Sequence, residues 1–158
     1  MSDVDPRQFR QALGSFLSGV TVLTVRDGDA VHGMTASAFS SLSLDPPLVL
    51  ACVAHKAHLH AHLAAGGRFA VSILREDQAW VSNHFAGYGK PDDVVQWDEA
   101  FGRTPVIAGA LAWLDCAVHA LQDGGDHTIL IGRVERLAAH DGAPLAYWRG
   151  KYGAFTPA

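Results

Sequence analysis

The chain has few cysteines and no long apolar run. Cys52 and Cys116 are the two cysteines among its 158 residues, and both fall within apolar strand patterns. Such a pair predicts no disulfide framework and favours a reducing compartment, the cytoplasm. No run of 18 apolar residues occurs, which argues against a membrane-spanning helix, and the acidic N-terminus shows no secretory signal. The sequence therefore predicts a cytoplasmic protein without a membrane partner.

Positive charge is also scarce. Twelve Lys and Arg residues stand against 16 Asp and Glu, which gives a net charge of −4. This balance argues against a dedicated nucleic-acid surface. The chain is 49% hydrophobic and 18% charged, a composition typical of an ordered globular protein. At this length we expect a single domain, residues 1–158, with no nucleic-acid partner.

The familiar sequence signatures of catalysis are missing. No Gly-x-Gly-x-x-Gly follows a strand, and the sequence contains no Walker-type loop, no Gly-x-Ser-x-Gly and no His-Glu-x-x-His. These absences disfavour the usual dinucleotide and P-loop folds, a serine hydrolase and a zinc protease. A nucleotide can still bind, but not through either familiar helix-terminus device.

Hydrophobic periodicity predicts a chain made mainly of strands. Asp5 and Pro6 indicate the start of a helix whose apolar stripe continues to Leu17. Two further short helices are predicted over 58–65 and 76–85, and residues 87–105 form a long polar connection. Strands are predicted over residues 20–25, 31–41, 48–53, 69–74, 110–121, 128–138 and 145–148. Hairpin-linked strands with a few short helices predict an antiparallel β-barrel.

The run from Gly33 to Pro47 is the most informative stretch for function. It carries five hydroxyl residues and three glycines or alanines within a strand-like pattern. Small side chains let a ligand approach the backbone closely, and hydroxyls offer it hydrogen bonds. The apolar strand that follows leads directly into His55-Lys56-Ala57-His58. This cationic corner beside a small-residue strand predicts a site for a flat ring with a phosphate tail.

Two groups of residues are candidates for ligand contact at this site. The hydroxyls of Ser40 and Ser41, with Lys56 and the amides around Ala57, are the candidate phosphate ligands, although a surface lysine is most often only solvated. His127 lies between a glycine turn and an apolar strand. A histidine there can contact a ligand at the barrel rim or merely cap the hairpin, and the residues leave both roles open.

Four histidines lie within eight residues, at positions 55, 58, 60 and 62. His58 and His62 share a helical face at a spacing that can hold zinc. No cysteine or carboxylate cluster in the sequence supplies an obvious third ligand, so a solvated histidine-rich helix is favoured and no metal is expected. A histidine-cluster metalloprotein stays as an alternative.

Phe85 ends the second short helix just before Ala86-Gly87, at a predicted surface. Aromatic side chains most often pack in the core of a protein. An exposed ring at this position could instead stack on a base.

Taken together, the residues resemble the short flavin reductases, the reductase components of two-component flavin-dependent monooxygenases. The resemblance covers nearly the whole chain, including the run His32-Gly33-Met34-Thr35-Ala36-Ser37-Ala38-Phe39. The matching segments are 9–16, 19–24, 32–39, 41–50, 69–74, 83–87, 125–134 and 150–152. So many ordered matches are more specific than any single short motif.

The resemblance implies a flavin-binding split barrel that forms a homodimer, with flavin held near the subunit interface. It implies FMN or FAD as the flavin and NADH or NADPH as the hydride donor. His127 matches the histidine beside flavin and nicotinamide, and is the catalytic candidate. The residues that match cofactor-binding positions are Met34, Thr35, Ala36, Ser37, Ser40, Ser41, Cys52, Val53, Ala54, His55, Lys56, Ala57, His58, Phe85, Gly87, Arg149 and Tyr152.

The implied function is that of an NAD(P)H:flavin oxidoreductase, which passes reduced flavin by diffusion to a partner monooxygenase. Because the cofactor carries this chemistry, the lack of a catalytic constellation is expected. Gly153 departs from the family pattern, in which a larger polar residue such as histidine is common. A flavin-binding protein without turnover, acting as a carrier, store or sensor, is therefore the alternative function.

Overall fold

The computed structural model describes residues 3–64, 67–99 and 103–158. Helix α1 spans Pro6–Gly14, and Oδ1 of Asp5 accepts hydrogen bonds from the amides of Arg7 and Gln8 at 2.9 and 3.0 Å. The predicted start of the helix is confirmed, because an N-cap depends only on neighbouring residues. The predicted end at Leu17 is wrong, since the helix ends at Gly14 in a turn with hydrogen bonds between residues three apart, and a short strand follows.

Most of the remaining chain is in antiparallel strands, which confirms the predicted fold class. In chain order they are β1 (Ser18–Gly19), β2 (Thr21–Asp27), β3 (Ala30–Ala36), β4 (Phe39–Leu44), β5 (Pro47–Ala54), β6 (Arg68–Ile73), β7 (Trp97–Asp98), β8 (Val106–Ile107), β9 (Ala112–Gly124), β10 (His127–Ala139), β11 (Leu145–Trp148) and β12 (Lys151–Ala154). One sheet has the order β3-β2-β6-β9-β10-β5-β4, and a smaller one has the order β1-β11-β12. Strands β7 and β8 pair with each other.

The seven-stranded sheet closes on itself between its two edge strands. Strands β3 and β4 lie at opposite edges, yet only Ser37 and Ala38 separate them in sequence. A connection of two residues spans about 10 Å at most, so the two edges must approach each other at this point. The predicted single strand over 31–41 is therefore wrong, because the chain bends at Ser37 and its two halves pair with different neighbours, β2 and β5.

The helical segments are more irregular than predicted. The segment expected over 58–65 is a 3₁₀ helix over His58–His62, and residues 65 and 66 lie outside the described ranges. The helix expected over 76–85 consists of a 3₁₀ turn at Glu76–Gln78, helix α2 at Ala79–Asn83 and a π turn at His84–Tyr88. The connection over 87–105 is not wholly without structure, because β7 lies in it and pairs with β8.

A buried ion pair lies on the face of the barrel sheet that points away from the main core. Asp115 on β9 is only 1% exposed, and it alternates with Leu114 and Cys116, which face that core. Nη2 of Arg68 lies 3.0 Å from Oδ2 of Asp115, and Nη1 of the same guanidinium lies 2.7 Å from Oε2 of the surface residue Glu135. This hydrogen bond from Arg68 holds the pKa of Glu135 below its usual range.

Both cysteines are free, as the sequence predicts. Burial, followed by the charge of Asp115, raises the pKa of the Cys116 thiol to about 12, so the thiol stays protonated at neutral pH. Across residues 3–64, 67–99 and 103–158, no helix has both the length and the apolar character needed to cross a membrane.

Candidate functional site

A cleft of about 420 Å³ opens where β3 ends, between α2 and the β11–β12 hairpin. Its walls mix hydroxyl and amide groups with apolar and aromatic side chains. The lining residues are Val20, Thr35, Ser37, Ser82, Asn83, Ala86, Tyr88, Tyr147, Gly150 and Tyr152. A cavity of this size and mixed character is typical of sites for small organic ligands.

A hydrogen-bond network joins the three elements around the cleft. Oγ1 of Thr35 on β3 donates to the backbone carbonyl of Ser82 at 2.6 Å. The Tyr152 hydroxyl on β12 lies 3.1 Å from Oδ1 of Asn83, to which it donates, and 2.7 Å from Oγ of Ser82. With Oδ1 engaged in this way, the amide NH₂ group of Asn83 remains a donor for a ligand.

A second part of the predicted site lies at the adjoining end of β5. The amide of Cys52 donates to the carbonyl of Ala38 at 3.0 Å, so the bend at Ser37 adjoins this strand. Ala54 pairs with His127 at the start of β10, and the amide of His55 donates to the carbonyl of Asp126 at 3.0 Å. Ser37 therefore lies between the cleft and the turn that carries Lys56.

Lys56 is exposed in the turn after β5. The amide of Ala57 donates to the carbonyl of Ala54 at 2.9 Å, and the helix that follows is a five-residue 3₁₀ helix. A helix this short has little dipole with which to support binding of a phosphate. The lysine side chain is thus the main candidate for a phosphate contact in this turn.

The structure does not bring Ser40 and Ser41 to Lys56 within one chain. Ser40 pairs with Leu50 on β5, four residues before Ala54. At about 3.4 Å per residue, this separation is roughly 13 Å along the strand. Both serines are exposed, and Oγ of Ser40 donates to the carbonyl of Ser41 at 2.8 Å. The predicted phosphate ligands therefore form two separate groups.

His127 is half exposed at the hairpin end. Its Nδ1 lies 2.6 Å from Oδ1 of Asp126, and this hydrogen bond lowers the pKa of the Asp126 carboxyl. When Asp126 accepts the Nδ1 proton, Nε2 is left as an acceptor toward a ligand. The contact fixes the ring without involving it in the core, so the ligand-contact role stays a prediction that the geometry permits.

Three predicted residues have side chains that pack into the protein. Ala36 and Val53 belong to the barrel core, and Met34 packs against it. Any contact that Ala36 or Val53 makes with a ligand must therefore go through the backbone. Cys52 and Ala54 alternate with Val53 and are half-buried on the other face of β5.

The Phe85 ring is half-buried and packs inside the protein, which is the more usual of the two placements that the sequence left open. The ring packs over Gly33 so closely that a Cβ on Gly33 would lie 2.4 Å from Cε1 of Phe85. The Trp97 ring meets it edge-to-face with centroids 5.9 Å apart. Phe85 thus needs glycine at position 33 and supports the wall of the cleft. Gly87 is exposed beyond it, at a φ of 89° that favours glycine.

Arg149 lies beside the cleft rather than in it. Its φ of 49° is unusual for a residue other than glycine, and its guanidinium lies 4.5 Å above the centroid of the Trp148 ring. Nη2 is also 3.3 Å from Oγ of Ser15 after helix α1. These contacts attach the tail hairpin to the end of α1, next to Gly150 in the cleft wall.

The structure supplies the third histidine that the sequence analysis did not find. His32 on β3 joins His58 and His62, and one ring nitrogen from each of the three lies within 4.8 Å of the others. Desolvation lowers the pKa of His32, and the neighbouring His62 and His58 lower it further. His55 is not part of this group, since its exposed ring lies against that of His60 with centroids 4.9 Å apart.

Sequence reasoning missed Ser82, Asn83 and Tyr147 as cleft residues. Asn83 begins one of the segments that carry the family resemblance, and this signal could have pointed to it. Ser82 gives no such sign, because an isolated serine in a short helix has no pattern. Its role follows from the approach of β3 and β12, which are distant in sequence.

An antiparallel split barrel with a hydroxyl-lined cleft beside a small-residue strand defines the class of small flavin-binding β-barrels. The chain belongs to the flavin reductase like domain family, whose model matches residues 13–156. This assignment covers the barrel, the cleft and the tail hairpin together.

Individual proteins show the same similarity. The chain is 45% identical to an NADH-dependent flavin reductase of a Rhodococcus species, over 95% of this chain and 86% of that protein. It is 48% identical to the reductase component of a 4-hydroxyphenylacetate 3-monooxygenase of Thermus thermophilus, over 91% of this chain and 93% of that protein.

Solved structures have the same fold. The flavin reductase PheA2 in its native state superposes with a TM-score of 0.93 at 42% identity, covering 98% of this chain and 100% of that chain. The Streptomyces globisporus NADH:FAD oxidoreductase SgcE6, in complex with NAD and FAD fragments, gives a TM-score of 0.88 at 41% identity. That match covers 99% of this chain and 98% of the other.

Proposed function

We propose that the chain is an NAD(P)H:flavin oxidoreductase, which reduces FMN or FAD and supplies reduced flavin to a partner monooxygenase. The observation that carries the proposal is the cleft at Thr35, Ser37 and Tyr152, in a family member whose similar proteins are named flavin reductases. NADH is the proposed donor, because the names of the Rhodococcus and Streptomyces relatives specify it.

The residues of the cleft fit a flat polar ring. Small side chains at the end of β3 leave room for it, and the Asn83 amide and the Ser37 hydroxyl offer it hydrogen bonds. Val20 and Tyr147 supply apolar wall surface that excludes water. Flavin, when bound, supplies the acceptor for the hydride. The chain positions the reactants and stabilises developing charge, and His127 with Lys56 would contact nicotinamide and phosphate.

The alternative, flavin binding without turnover, rests on Gly153. A side chain at this position would meet open space, with no heavy atom within 4 Å of its Cβ. The tail therefore lacks a polar group where the family often has one. The names of the similar proteins favour the reductase.

We propose that the chain folds as a single domain, forms a homodimer and is located in the cytoplasm. Large apolar side chains are exposed on the single chain, among them Phe16 at 78% and Leu44 at 94%. A second copy would cover side chains of this size, which are costly to leave in water. Sedimentation should give twice the mass of one chain, and a monomer at micromolar concentration would contradict the dimer.

Rapid mixing tests the reductase activity directly. Enzyme, flavin and nicotinamide are combined in the four pairings of FMN or FAD with NADH or NADPH, and flavin absorbance is followed. We expect NADH to bleach at least one flavin, while tight flavin binding without nicotinamide oxidation would establish the alternative. A chain that oxidises neither nicotinamide in any pairing is not a reductase.

In the same assay His127→Ala should lower kcat/KM for the nicotinamide by roughly 10- to 100-fold. The reason is the loss of one hydrogen bond to a group that is charged or becomes charged during the reaction. His140→Ala is the matched control, since His140 is exposed and lies after β10. Thermal melting of His127→Ala should match that of the unmodified chain. Normal kinetics with a large loss of stability would instead identify His127 as a hairpin cap.

Lys56→Ala should weaken flavin binding by about 1–3 kcal/mol if its ammonium pairs with a phosphate group. The matched control is Lys90→Ala, which removes another exposed lysine, far along the chain from the strand-end turn. Titration of flavin fluorescence with each protein measures the difference. Equal dissociation constants for the two variants would return Lys56 to the role of a solvated surface lysine.

A further inference from the structure

Three imidazole rings converge on one side of the barrel. His32 comes from β3, and His58 and His62 come from the two ends of the 3₁₀ helix that follows β5. The rings of His32 and His62 stack in parallel with centroids 3.7 Å apart. The His58 ring lies 5.0 Å from each of them. His32 is three residues before Thr35, so the group lies about 10 Å along β3 from the cleft.

A carboxylate orients one of these rings from behind. Oδ2 of Asp27, the last residue of β2, lies 2.9 Å from Nδ1 of His62. Such a contact fixes the proton on Nδ1 and presents Nε2 as a ligand atom, which is the usual arrangement behind a metal-bound histidine. The chain thus places an outer carboxylate in position behind its inner nitrogen donors.

The other two rings have nitrogens free for coordination. Within the described residues, His32 and His58 interact with other side chains only through ring contacts. No nitrogen of either ring has a hydrogen-bond partner among those residues. His58 is exposed and His32 half-buried, so an ion can enter from solvent and meet a partly desolvated site.

We propose that His32, His58 and His62 bind a divalent transition-metal ion of the zinc type, with a fourth position open to water. Three neutral imidazoles suit Zn²⁺, Co²⁺, Ni²⁺ or Cu²⁺, and are a poor donor set for Mg²⁺ or Ca²⁺. Tetrahedral zinc at about 2.0–2.1 Å from each nitrogen brings those nitrogens to roughly 3.4 Å from one another. To reach that geometry, the ligand nitrogens move closer by up to about 1.4 Å. The rings of His32 and His62 also rotate out of their parallel stack, so that one nitrogen of each points at the same ion.

Binding of this ion would connect β3 to the segment after β5. In sequence, β3 precedes the bend at Ser37, and the segment after β5 follows it. The role is structural, because the group lies about 10 Å along β3 from the cleft. His58, which the family resemblance matches to a cofactor-binding position, serves as a metal ligand in this proposal. The metal site does not depend on the proposed reductase activity.

Titration of tag-free, chelator-treated protein with Co²⁺ tests the site. Visible d–d absorption reports tetrahedral coordination, and displacement by Zn²⁺ gives the zinc affinity. We expect one equivalent to bind and thermal melting to shift upward with Zn²⁺. His32→Gln, His58→Gln and His62→Gln should each weaken binding by on the order of 100-fold or more, and Asp27→Asn by about 10-fold.

The matched control is His140→Gln, an exposed histidine outside the group, which should bind Co²⁺ as the unmodified chain does. Circular dichroism of the metal-free variants shows whether each is folded. If His32→Gln does not fold, His58→Gln provides the test, because His58 is exposed and its replacement should not disturb the fold. Equal binding by the unmodified chain and His58→Gln overturns the proposal, as does absence of tetrahedral Co²⁺ spectra at saturating metal.

Discussion

Replacing Arg68 with alanine is expected to lower the free energy of unfolding by about 3–5 kcal/mol, because it leaves a buried carboxylate without its cation. Asp115 is 1% exposed, and the Arg68 guanidinium lies 3.0 Å from its Oδ2. Within the described residues, neither oxygen of Asp115 accepts a well-directed hydrogen bond, so no other donor there replaces the arginine. Urea unfolding at neutral pH measures the loss.

Three companion variants separate this cause from loss of the arginine stem. Arg7→Ala makes the same chemical change at an exposed position on α1 and should cost at most about 0.5 kcal/mol. Arg68→Met keeps an apolar stem but still leaves Asp115 without its cation. The double variant Arg68→Met with Asp115→Leu removes both charges, and should be more stable than Arg68→Met alone. A loss below about 1 kcal/mol for Arg68→Ala would show that Asp115 does not depend on this partner.

The second large effect is expected at the cleft, where Ser37→Leu should raise the dissociation constant of flavin 100-fold or more, about 2.7 kcal/mol. Ser37 is exposed at the bend between β3 and β4 and lines the cavity of about 420 Å³. A branched side chain at this position fills space that a flat ring would occupy. Titration of flavin fluorescence measures the change.

Ser37→Ala is the control for this substitution, because it removes the hydroxyl but keeps the space. One hydrogen bond is worth about 0.5–1.5 kcal/mol, so this variant should lose at most about 10-fold in affinity. Both variants should have the same melting temperature as the unmodified chain, since the side chain of residue 37 lies outside the core. Unimpaired flavin binding by Ser37→Leu would show that the ring occupies another face of the barrel.

Local features of the chain were predictable from the sequence for local reasons. Asp5 and Pro6 mark the start of α1 because an N-cap involves amides two and three residues away. The hairpin of β9 and β10 follows from two long strand patterns on either side of Gly124-Gly125. Thr35, Ser37 and Tyr152 were named as site residues because an ordered family pattern includes them.

Long-range pairing was not predictable in the same way. The pattern over residues 31–41 predicts strand structure but not that its two halves pair with β2 and β5, since the alternation is the same whichever neighbour a strand has. The separation of Ser40 from the end of β5, roughly 13 Å before the turn that carries Lys56, has the same origin, because register along β5 sets it. The sequence left open whether the Phe85 ring packs inside or lies at the surface, and only its tertiary contact with Gly33 decides this.

By itself, the sequence determined that this chain is a mainly β protein of a flavin reductase family, with a small-residue strand in place of catalytic groups. Periodicity, caps and ordered motifs carry that information because each depends on residues close together in the chain. The tertiary structure alone decided that Ser82 and Asn83 meet Thr35 and Tyr152, and that His32 joins His58 and His62. Closure of the barrel creates those contacts, and it brings together strands whose separation in sequence carries no local signal.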